Sequence, residues 1–358
     1  MFRKAKSVVG LDIGSSAVKA VELKPSGKGH KVVAFGSEPI PADSIVDGAI
    51  IDGAAVADAI RRLFETHGIK DKDVCASLSG NAVIVKKITL PPMSEAELAE
   101  SIYWEAEQYI PFDIQDVSLD YQIVSGGAAG KGKAAPGTGM EVLLVAAKKE
   151  KIADYTGVIA QAGRTPVIVD VDAFALQNAY EVNYGLEPGA VVALIDIGAS
   201  ITSINIVSGE QSLFTRDISI GGHAYTEALQ KELHLSQEQA ETLKKGGAAV
   251  DSVDFEQARP VLRAVTDNVL LEIQKTFDFF RGTTGTAHID RIVLSGGASR
   301  VDGFAEMLAE RFDAQIEEFD PFKTIAFDAQ KFGVTVPADV AATSAVAVGL
   351  ALRRVNDR

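Results

Sequence analysis

One short segment occurs twice in this chain, at positions 184 residues apart. Asp12-Ile13-Gly14-Ser15-Ser16 and Asp196-Ile197-Gly198-Ala199-Ser200 agree at four of five positions, and β-rich stretches flank both copies. A repeat at about half the chain length indicates a duplicated structural unit. Since the chain has 358 residues, and single hydrophobic cores stop growing at roughly 250 to 300 residues, we expect at least two compact units.

The repeated segment has the composition of a phosphate-binding turn. Glycine lets backbone N–H groups approach phosphate oxygens, and serine adds a hydroxyl donor. A carboxylate at the end of a strand, as at Asp12 and Asp196, can bind Mg²⁺ directly or through water. Two facing copies are therefore expected to hold one nucleotide with its Mg²⁺. For a single copy, the alternative of a plain tight turn between two strands stays open.

Composition argues against several other classes of protein. The net charge of −14 argues against a nucleic-acid partner, because a phosphate backbone attracts basic surfaces. Five scattered histidines and the single cysteine, Cys75, have no spacing typical of a transition-metal site or a disulfide framework. No apolar run reaches the roughly 20 residues that span a bilayer, and the N-terminus lacks a signal-peptide core. We therefore expect a cytoplasmic protein without a transmembrane segment.

A small unit lies between the two repeats. Its predicted order is strand, helix, strand, strand, at residues 83–88, 94–109, 117–124 and 141–147. Ser94 and Glu97 have the spacing of a capping box, which indicates where the helix begins. Residues 80–147 are therefore predicted to form a separate α+β subdomain.

Further segments, taken with the repeat, resemble the superfamily of actin, sugar kinases and heat-shock chaperones. Val8 to Leu23, which includes Lys19, is similar to the first phosphate motif of that superfamily, and residues 191–207 are similar to the second. Arg291 to Ser299, a strand that leads into Gly296-Gly297, resembles its adenosine motif. The resemblance implies an α/β actin-like ATPase fold, in which two ribonuclease-H-like halves close around ATP and carry the small α+β subdomain as an insertion.

The resemblance also implies roles for particular residues. Glu241 and Lys244 have the spacing that the superfamily uses around the ribose and base, although such a pair can also be a solvated helix face. Helices rich in small residues at 169–180 and 340–352 match its connecting helices. Asp170 or Asp172 would position water in a catalytic step. The residues implied for the cofactor, ATP or ADP, are Asp12, Gly14, Ser15, Ser16, Lys19, Asp196, Gly198, Ala199, Ser200, Gly222, Glu241, Lys244, Gly296, Gly297 and Ser299, with Asp12 and Asp196 also serving Mg²⁺.

The inserted unit selects a branch of the superfamily, because it resembles the extra subdomain of the FtsA and PilM families. Glu105 to Phe112 is similar to PilM, and the chain stops soon after the second connecting helix, where FtsA proteins continue to a membrane helix. The implied subdomains are 1–79, completed by 163–188 and 338–358; the insertion, 80–162; 189–220 with 286–337; and a helical subdomain, 221–285.

Proteins of the PilM family bind the cytoplasmic N-terminus of the inner-membrane protein PilN, in a groove between the first subdomain and the extra one. The resemblance implies an adaptor of type IV pilus assembly with at most slow ATP hydrolysis, recruited to the inner membrane through PilN, with pilus motor ATPases as further candidate partners and oligomerisation left open. The candidate groove residues are Tyr109, Ile110, Pro111 and Phe112, although a helix end packed on its own sheet explains the same pattern. An FtsA-like filament protein and a sugar-kinase-like phosphotransferase remain alternatives.

Overall fold

The computed structural model describes residues 7–125, 139–187, 189–247, 249–250, 253–285, 288–335 and 337–355. The strands of these residues are β1 (Val9–Ile13), β2 (Ala17–Ser26), β3 (Gly29–Pro39), β4 (Ile45–Val46), β5 (Ala49–Ile50), β6 (Asp73–Leu78), β7 (Val83–Leu90), β8 (Val117–Ser125), β9 (Met140–Lys148), β10 (Thr165–Val171), β11 (Val192–Ile197), β12 (Thr202–Ser208), β13 (Gln211–Ile218), β14 (Arg291–Ser295) and β15 (Gln315–Glu318). The helices are α1 (Gly53–Thr66), α2 (Glu95–Glu107), α3 (Lys149–Gln161), α4 (Asp172–Tyr184), α5 (Gly222–Leu233), α6 (Gln237–Lys244), α7 (Phe255–Thr284), α8 (Phe304–Arg311) and α9 (Pro337–Leu352).

Two five-stranded sheets have the same strand order, which is the architecture that a duplicated unit predicts. The first sheet has the order β10-β6-β1-β2-β3, and the second has the order β15-β14-β11-β12-β13. In each sheet an antiparallel run of three consecutive strands lies beside two parallel strands. The repeated Asp-Ile-Gly-x-Ser segments join the first two strands of each run, so they occupy equivalent places in the two sheets.

Each sheet has its own apolar core, because its central strands are buried on both faces. We call each sheet with its covering helices a lobe. In the first lobe, α1 and α3 cover the sheet with side chains that include Phe64 and Ile159. In the second lobe, α5 and α7 cover the sheet with Leu229 and Phe277. Helix α3 thus packs on the first sheet, although the subdomain bounds implied by the sequence place it within the insertion at 80–162.

Helices α4 and α9 lie between the two lobes and cross so closely that their backbones are in contact. A β-carbon on Gly349 of α9 would overlap the backbone carbonyl of Ala175 in α4, and one on Gly10 of β1 would overlap the carbonyl of Ala347 in α9. The two helices share one apolar core with residues of both sheets. Small residues therefore permit the contact that joins the lobes, as the composition of these helices predicts. In the ranges that the structure describes, no helix is both long and apolar enough to cross a membrane.

Several helix boundaries differ from the sequence interpretation, as at the end of α4 (Tyr184 and not residue 180) and the start of α9 (Pro337 and not residue 340). Two further differences have an identifiable cause. Helix α4 begins at Asp172 and not at residue 169, because residues 169–171 continue β10 and pair with residues 76–78 of β6. Helix α2 ends at Glu107 and not at Tyr109, because the chain turns there and the N–H groups of Tyr109 and Ile110 both donate to the carbonyl of Ala106. Each of these two differences comes from a hydrogen-bonding partner that the local pattern does not reveal.

The inserted unit has the predicted order of strand, helix, strand, strand. Its sheet has the order β7-β9-β8, and α2 covers one face through Leu98, Ile102 and Ala106. The expected capping box at the start of α2 is present: the Ser94 hydroxyl accepts from the Glu97 N–H at 3.3 Å, and the Glu97 carboxylate accepts from the Ser94 N–H at 2.7 Å. A local pattern was sufficient here because all of its contacts lie close in the chain.

The helix crossing gives a test of the fold. We expect Gly349→Ala to lower the free energy of unfolding by about 2–3 kcal/mol, because the added methyl group forces α9 away from α4. Gly157→Ala in α3 is the matched control, because nothing lies within 4 Å of its added methyl group, and it should raise stability by about 0.5–1 kcal/mol. Urea unfolding of both variants measures the difference. Equal stability of the two variants would contradict the close crossing.

Candidate functional site

The two repeated segments form turns with the same hydrogen bond. In the first lobe the Gly14 N–H donates to the carbonyl of Ala17 at 3.1 Å, and in the second the Gly198 N–H donates to the carbonyl of Ile201 at 2.9 Å. Each aspartate lies one residue before the end of a central strand. The two turns are therefore equivalent in geometry as well as in sequence.

An ion pair holds the first turn. Asp12 and Lys19 lie opposite each other in the β1-β2 pair, with 2.8 Å between Asp12 Oδ2 and Lys19 Nζ. Burial acts most strongly on the pKa of Lys19 and lowers it, but Asp12, Asp196 and Asp172 together outweigh that effect, so the pKa lies above its ordinary value. Lys19 is therefore a charged amine that interacts electrostatically with carboxylates of both lobes.

Asp196 is the equivalent carboxylate of the second lobe. Burial is the main cause that raises the pKa of Asp196 to about 6, and the nearby carboxylates of Asp12 and Asp217 act in the same direction. A hydrogen bond from the Ser295 hydroxyl to Asp196 Oδ1, at 2.7 Å, opposes the shift, as does Lys19. Asp12 of the first lobe is therefore among the charges that influence Asp196 of the second lobe.

Asp172, the first residue of α4, belongs to the same group of carboxylates. Burial is the largest cause that raises its pKa to about 7, and the charge of Asp12 adds to it, whereas hydrogen bonds from Ser77 and Ser79 lower it. We name Asp12, Asp172 and Asp196 the carboxylate cluster. Its negative charge exceeds what Lys19 neutralises.

Asp170, the other candidate for a catalytic step, has a different environment. Its Oδ2 lies 3.5 Å from Arg353, just after α9, and its Oδ1 accepts from the N–H of Val171. Burial raises the pKa of Asp170, and Arg353 acts against that shift. Of the two predicted aspartates, the structure brings only Asp172 into the carboxylate cluster.

Helix α5 begins directly against the second turn. The Gly222 N–H donates to the carbonyl of Gly198 at 2.9 Å, and the His223 N–H donates to the carbonyl of Ala199 at 2.8 Å. His223 Nδ1 also lies 3.2 Å from the Ser200 hydroxyl. The first two N–H groups of α5 are therefore occupied by carbonyls of the second turn, which fixes the start of the helix against that turn. From the sequence, His223 is only one of the five scattered histidines and is not predicted to belong to the site.

The predicted pair of Glu241 and Lys244 lies beside the start of α5. Lys244 Nζ lies 2.5 Å from Glu241 Oε1, and it donates to the Gly222 carbonyl at 3.2 Å and to the Thr226 hydroxyl at 3.0 Å. The Thr226 hydroxyl also donates to Glu241. The pair is therefore part of a polar network that reaches the second turn, rather than a solvated helix face.

The predicted adenosine motif completes this side of the site. A β-carbon on Gly296 would overlap the carbonyl of Ile197, so glycine is needed where the motif passes the second turn. The Ser299 hydroxyl donates to the Gly296 carbonyl at 2.7 Å, and Gly297 begins the short 3₁₀ turn between them. Around Gly222, a β-carbon would lie 3.5 Å from Cβ of Ala298 and 3.6 Å from both Lys244 Nζ and the Gly198 carbonyl. Three segments that are distant in sequence therefore converge on one point.

The lobes also touch beside the carboxylate cluster. Asp217 Oδ2 of β13 accepts from the N–H of Gly80 at 2.5 Å, and the side chain of Ile201 comes close to the backbone of Gly48 and Gly80. A cavity of about 240 Å³ adjoins this contact. We call it the junction cavity, because β7 of the inserted unit, the β10-α4 junction and β13 of the second lobe all contribute to it; it is lined by Gly80, Asn81, Val83, Ile84, Val85, Val171, Ala173, Thr215, Arg216 and Asp217.

The four candidate groove residues lie elsewhere. Ile110 is buried in the core of the inserted unit, and Tyr109 and Phe112 pack against that core. Lys86 lies over the ring of Tyr109 and Lys148 over the ring of Phe112, whereas Pro111 is exposed. None of the four lines the junction cavity.

The donor set fits a magnesium-nucleotide complex better than a metal ion held by protein alone. Among the described residues, no group of three His, Cys, Asp or Glu side chains is arranged to hold a metal ion. Mg²⁺ bound to phosphate oxygens needs only one or two carboxylates, and Asp12 and Asp196 can supply them. A divalent cation would also neutralise the cluster, whose surplus negative charge helps to keep the pKa of Asp172 and Asp196 high.

Comparisons with known proteins agree with this architecture. A solved structure of the "PilM-PilN type IV pilus biogenesis complex" superposes with a TM-score of 0.86 and 30% sequence identity, covering 99% of this chain and 100% of that chain. MreB5 of Spiroplasma citri bound to ADP superposes with a TM-score of 0.50 at 16% identity, over 96% of this chain and 94% of that one. The cell division protein FtsA of Streptococcus pneumoniae serotype 2 (strain D39 / NCTC 7466) is 23% identical over 351 residues, 87% of this chain and 75% of that protein.

A family model settles which branch of the superfamily is involved. The model described as type IV pilus assembly protein PilM matches residues 10–355, nearly the whole chain. The actin-like fold class predicted from the sequence is confirmed by these neighbours. The chain belongs to the PilM family of type IV pilus assembly proteins, within the actin and FtsA superfamily.

Proposed function

We propose that this chain binds ATP with Mg²⁺ between its lobes and holds the N-terminal peptide of PilN, so that the bound nucleotide changes its affinity for the peptide. The observation that carries the proposal is that the two lobes meet twice in adjacent places. They face each other across the carboxylate cluster, and the β10-α4 junction of the first lobe and β13 of the second lobe both line the junction cavity, together with β7 of the inserted unit. A ligand that changes the lobe spacing at one place changes it at the other.

In the proposed complex the two turns bind the polyphosphate. The N–H groups of Gly14 and Gly198 close the two turns, so the phosphate donors would be the N–H groups of Ser15 and Ser16 and of Ala199 and Ser200. Lys19 would be the charged donor. Asp12 and Asp196 hold Mg²⁺ directly or through water. Gly222, Glu241, Lys244, Gly296, Gly297 and Ser299 surround the adenosine. Support comes from the convergence of these segments around Gly222 and from the structural likeness to an MreB5 that was solved with ADP.

Any hydrolysis would depend on Asp172, because of the two candidate aspartates it is the one in the carboxylate cluster. The bound Mg²⁺ would stabilise the charge that develops on the phosphate, and Asp172 would orient the attacking water. Asp170 is engaged with Arg353 and would have no direct part. We expect turnover to be slow, with the protein contact as the main output.

The junction cavity is the proposed site for the PilN peptide. Strand β7 is at an edge of its three-stranded sheet and β13 at an edge of the second sheet, so both have backbone groups that an extended peptide can reach. Val83, Ile84 and Val85 add an apolar wall. This position lies beside the first lobe and the inserted unit, and it includes a wall from the second lobe. Through PilN the chain would be recruited from the cytoplasm to the inner membrane, where pilus motor ATPases are further candidate partners.

Nucleotide binding tests the first part of the proposal. Asp12→Asn and Asp196→Asn are each expected to weaken the binding of ATP·Mg²⁺ at least tenfold, which is about 1.4 kcal/mol, because each removes one carboxylate from the shared cation. Asp172→Asn is expected to keep the affinity and lower only the rate of hydrolysis. Isothermal titration calorimetry and a phosphate-release assay measure these effects.

Asp278→Asn, on the exposed face of α7, is the matched control and should bind ATP·Mg²⁺ as the wild type does. If only one of the two repeated aspartates mattered, the nucleotide would bind to a single lobe, and the proposed bridge would be wrong.

Peptide binding tests the second part. Val85→Asp should weaken the binding of the PilN N-terminal peptide at least tenfold, because a charge would replace an apolar contact in the junction cavity. Val167→Asp on β10 is the matched control: it also changes a partly exposed strand valine, at 36% exposure, but does not line the cavity. Fluorescence anisotropy of a labelled peptide measures both. Wild-type affinity of Val85→Asp would exclude the junction cavity as the peptide site.

A further inference from the structure

Helix α2 of the inserted unit carries two large aromatic side chains on its outer surface. Trp104 is 78% exposed and Tyr103 is 51% exposed, although the opposite face of the same helix buries Leu98, Ile102 and Ala106. Exposed aromatic rings are not needed to hold α2 in place, because its inner face already supplies the packing. Tryptophan and tyrosine are enriched where proteins contact partners.

Glutamates flank the two aromatic rings on α2. Glu100 and Glu107 lie one turn before and one turn after them, and the four positions 100, 103, 104 and 107 have the spacing of one helix face. Helix α2 contains five glutamates and no lysine or arginine. None of these five side chains lies in a salt bridge within the described part of the chain. We call positions 100, 103, 104 and 107 the α2 patch.

The combination specifies the chemistry of a partner. Aromatic faces attract cations through their ring quadrupole, and the adjacent carboxylates add charge-assisted hydrogen bonds. Aliphatic side chains of the same segment can cover the ring surface that water now contacts. Membranes with anionic lipids and nucleic acids both carry negative charge, so the glutamates of the patch would repel them.

We propose that the α2 patch binds a partner protein through a segment in which lysine or arginine alternates with aliphatic residues. The patch shares no residue with the carboxylate cluster or with the junction cavity, so it is a second, separate protein contact. The inserted unit would then bind one partner at β7 and another at α2.

Trp104 is the single tryptophan of the chain, so its fluorescence reports directly on the patch. The probe is a short synthetic peptide of lysine and leucine, titrated into the full-length chain up to about 1 mM, the weak end of specific binding. We expect a blue shift of the emission, because the ring leaves water, and a loss of the shift at high salt. The same peptide with glutamate in place of lysine should cause no shift.

Variants distinguish the patch from general attraction to an acidic protein. With a dye-labelled peptide, Trp104→Ala should weaken binding about tenfold and Trp104→Phe less, and Glu100→Gln with Glu107→Gln should also weaken it. The control for charge is Glu306→Gln with Glu310→Gln on α8, and the control for an exposed ring is Phe279→Ala, which is 56% exposed on α7. Circular dichroism checks that all variants fold.

Three outcomes would overturn the proposal. One is an emission that does not change with the basic peptide. Another is equal weakening by the α2 and α8 charge variants, which would show nonspecific attraction. The third is a blue shift with anionic vesicles of phosphatidylglycerol in place of the peptide, which would make the patch a membrane contact.

Discussion

The close crossing of α4 and α9 is the contact on which the rest of the structure depends. Because Gly349 has no side chain, the backbones of the two helices meet, and each helix also packs against the sheets. The crossing fixes the two duplicated sheets so that their turns face the same gap. Larger residues at these positions would separate the lobes, and the carboxylates at Asp12 and Asp196 would no longer act on each other.

Electrostatics gives the gap its chemical character. The charge of Asp12 acts on both Asp172 and Asp196, and the raised pKa values of these two residues reflect burial together with that charge. Lys19 is paired with Asp12. Protein folding alone gains nothing from such crowding of carboxylates. A bound divalent cation would relieve it, which is why we propose a magnesium-nucleotide complex for this site. The Mg²⁺ ion of the proposed complex would supply the positive charge that Asp12 and Asp196 lack.

The sequence was most informative where contacts are local or duplicated. The repeat predicted equivalent turns, and the capping box at Ser94 predicted the start of α2. The pairing of Asp12 with Lys19 follows from a short hairpin. Asp217 and His223 could not be predicted in the same way, because they reach the site only when β13 and α5 fold against the other lobe or the second turn. For His223, the nearest signal in the sequence was the Gly221-Gly222 pair before it, which permits the close approach of α5 to the second turn.

The central claim is that nucleotide and peptide act on one arrangement of the lobes. It is tested most directly by measuring the Kd of the PilN peptide with and without ATP·Mg²⁺, and the Kd of ATP·Mg²⁺ with and without the peptide. We predict that each ligand changes the affinity of the other by the same factor, about fivefold or more, because coupling between two sites is reciprocal. Affinities that do not change in either direction would contradict the account.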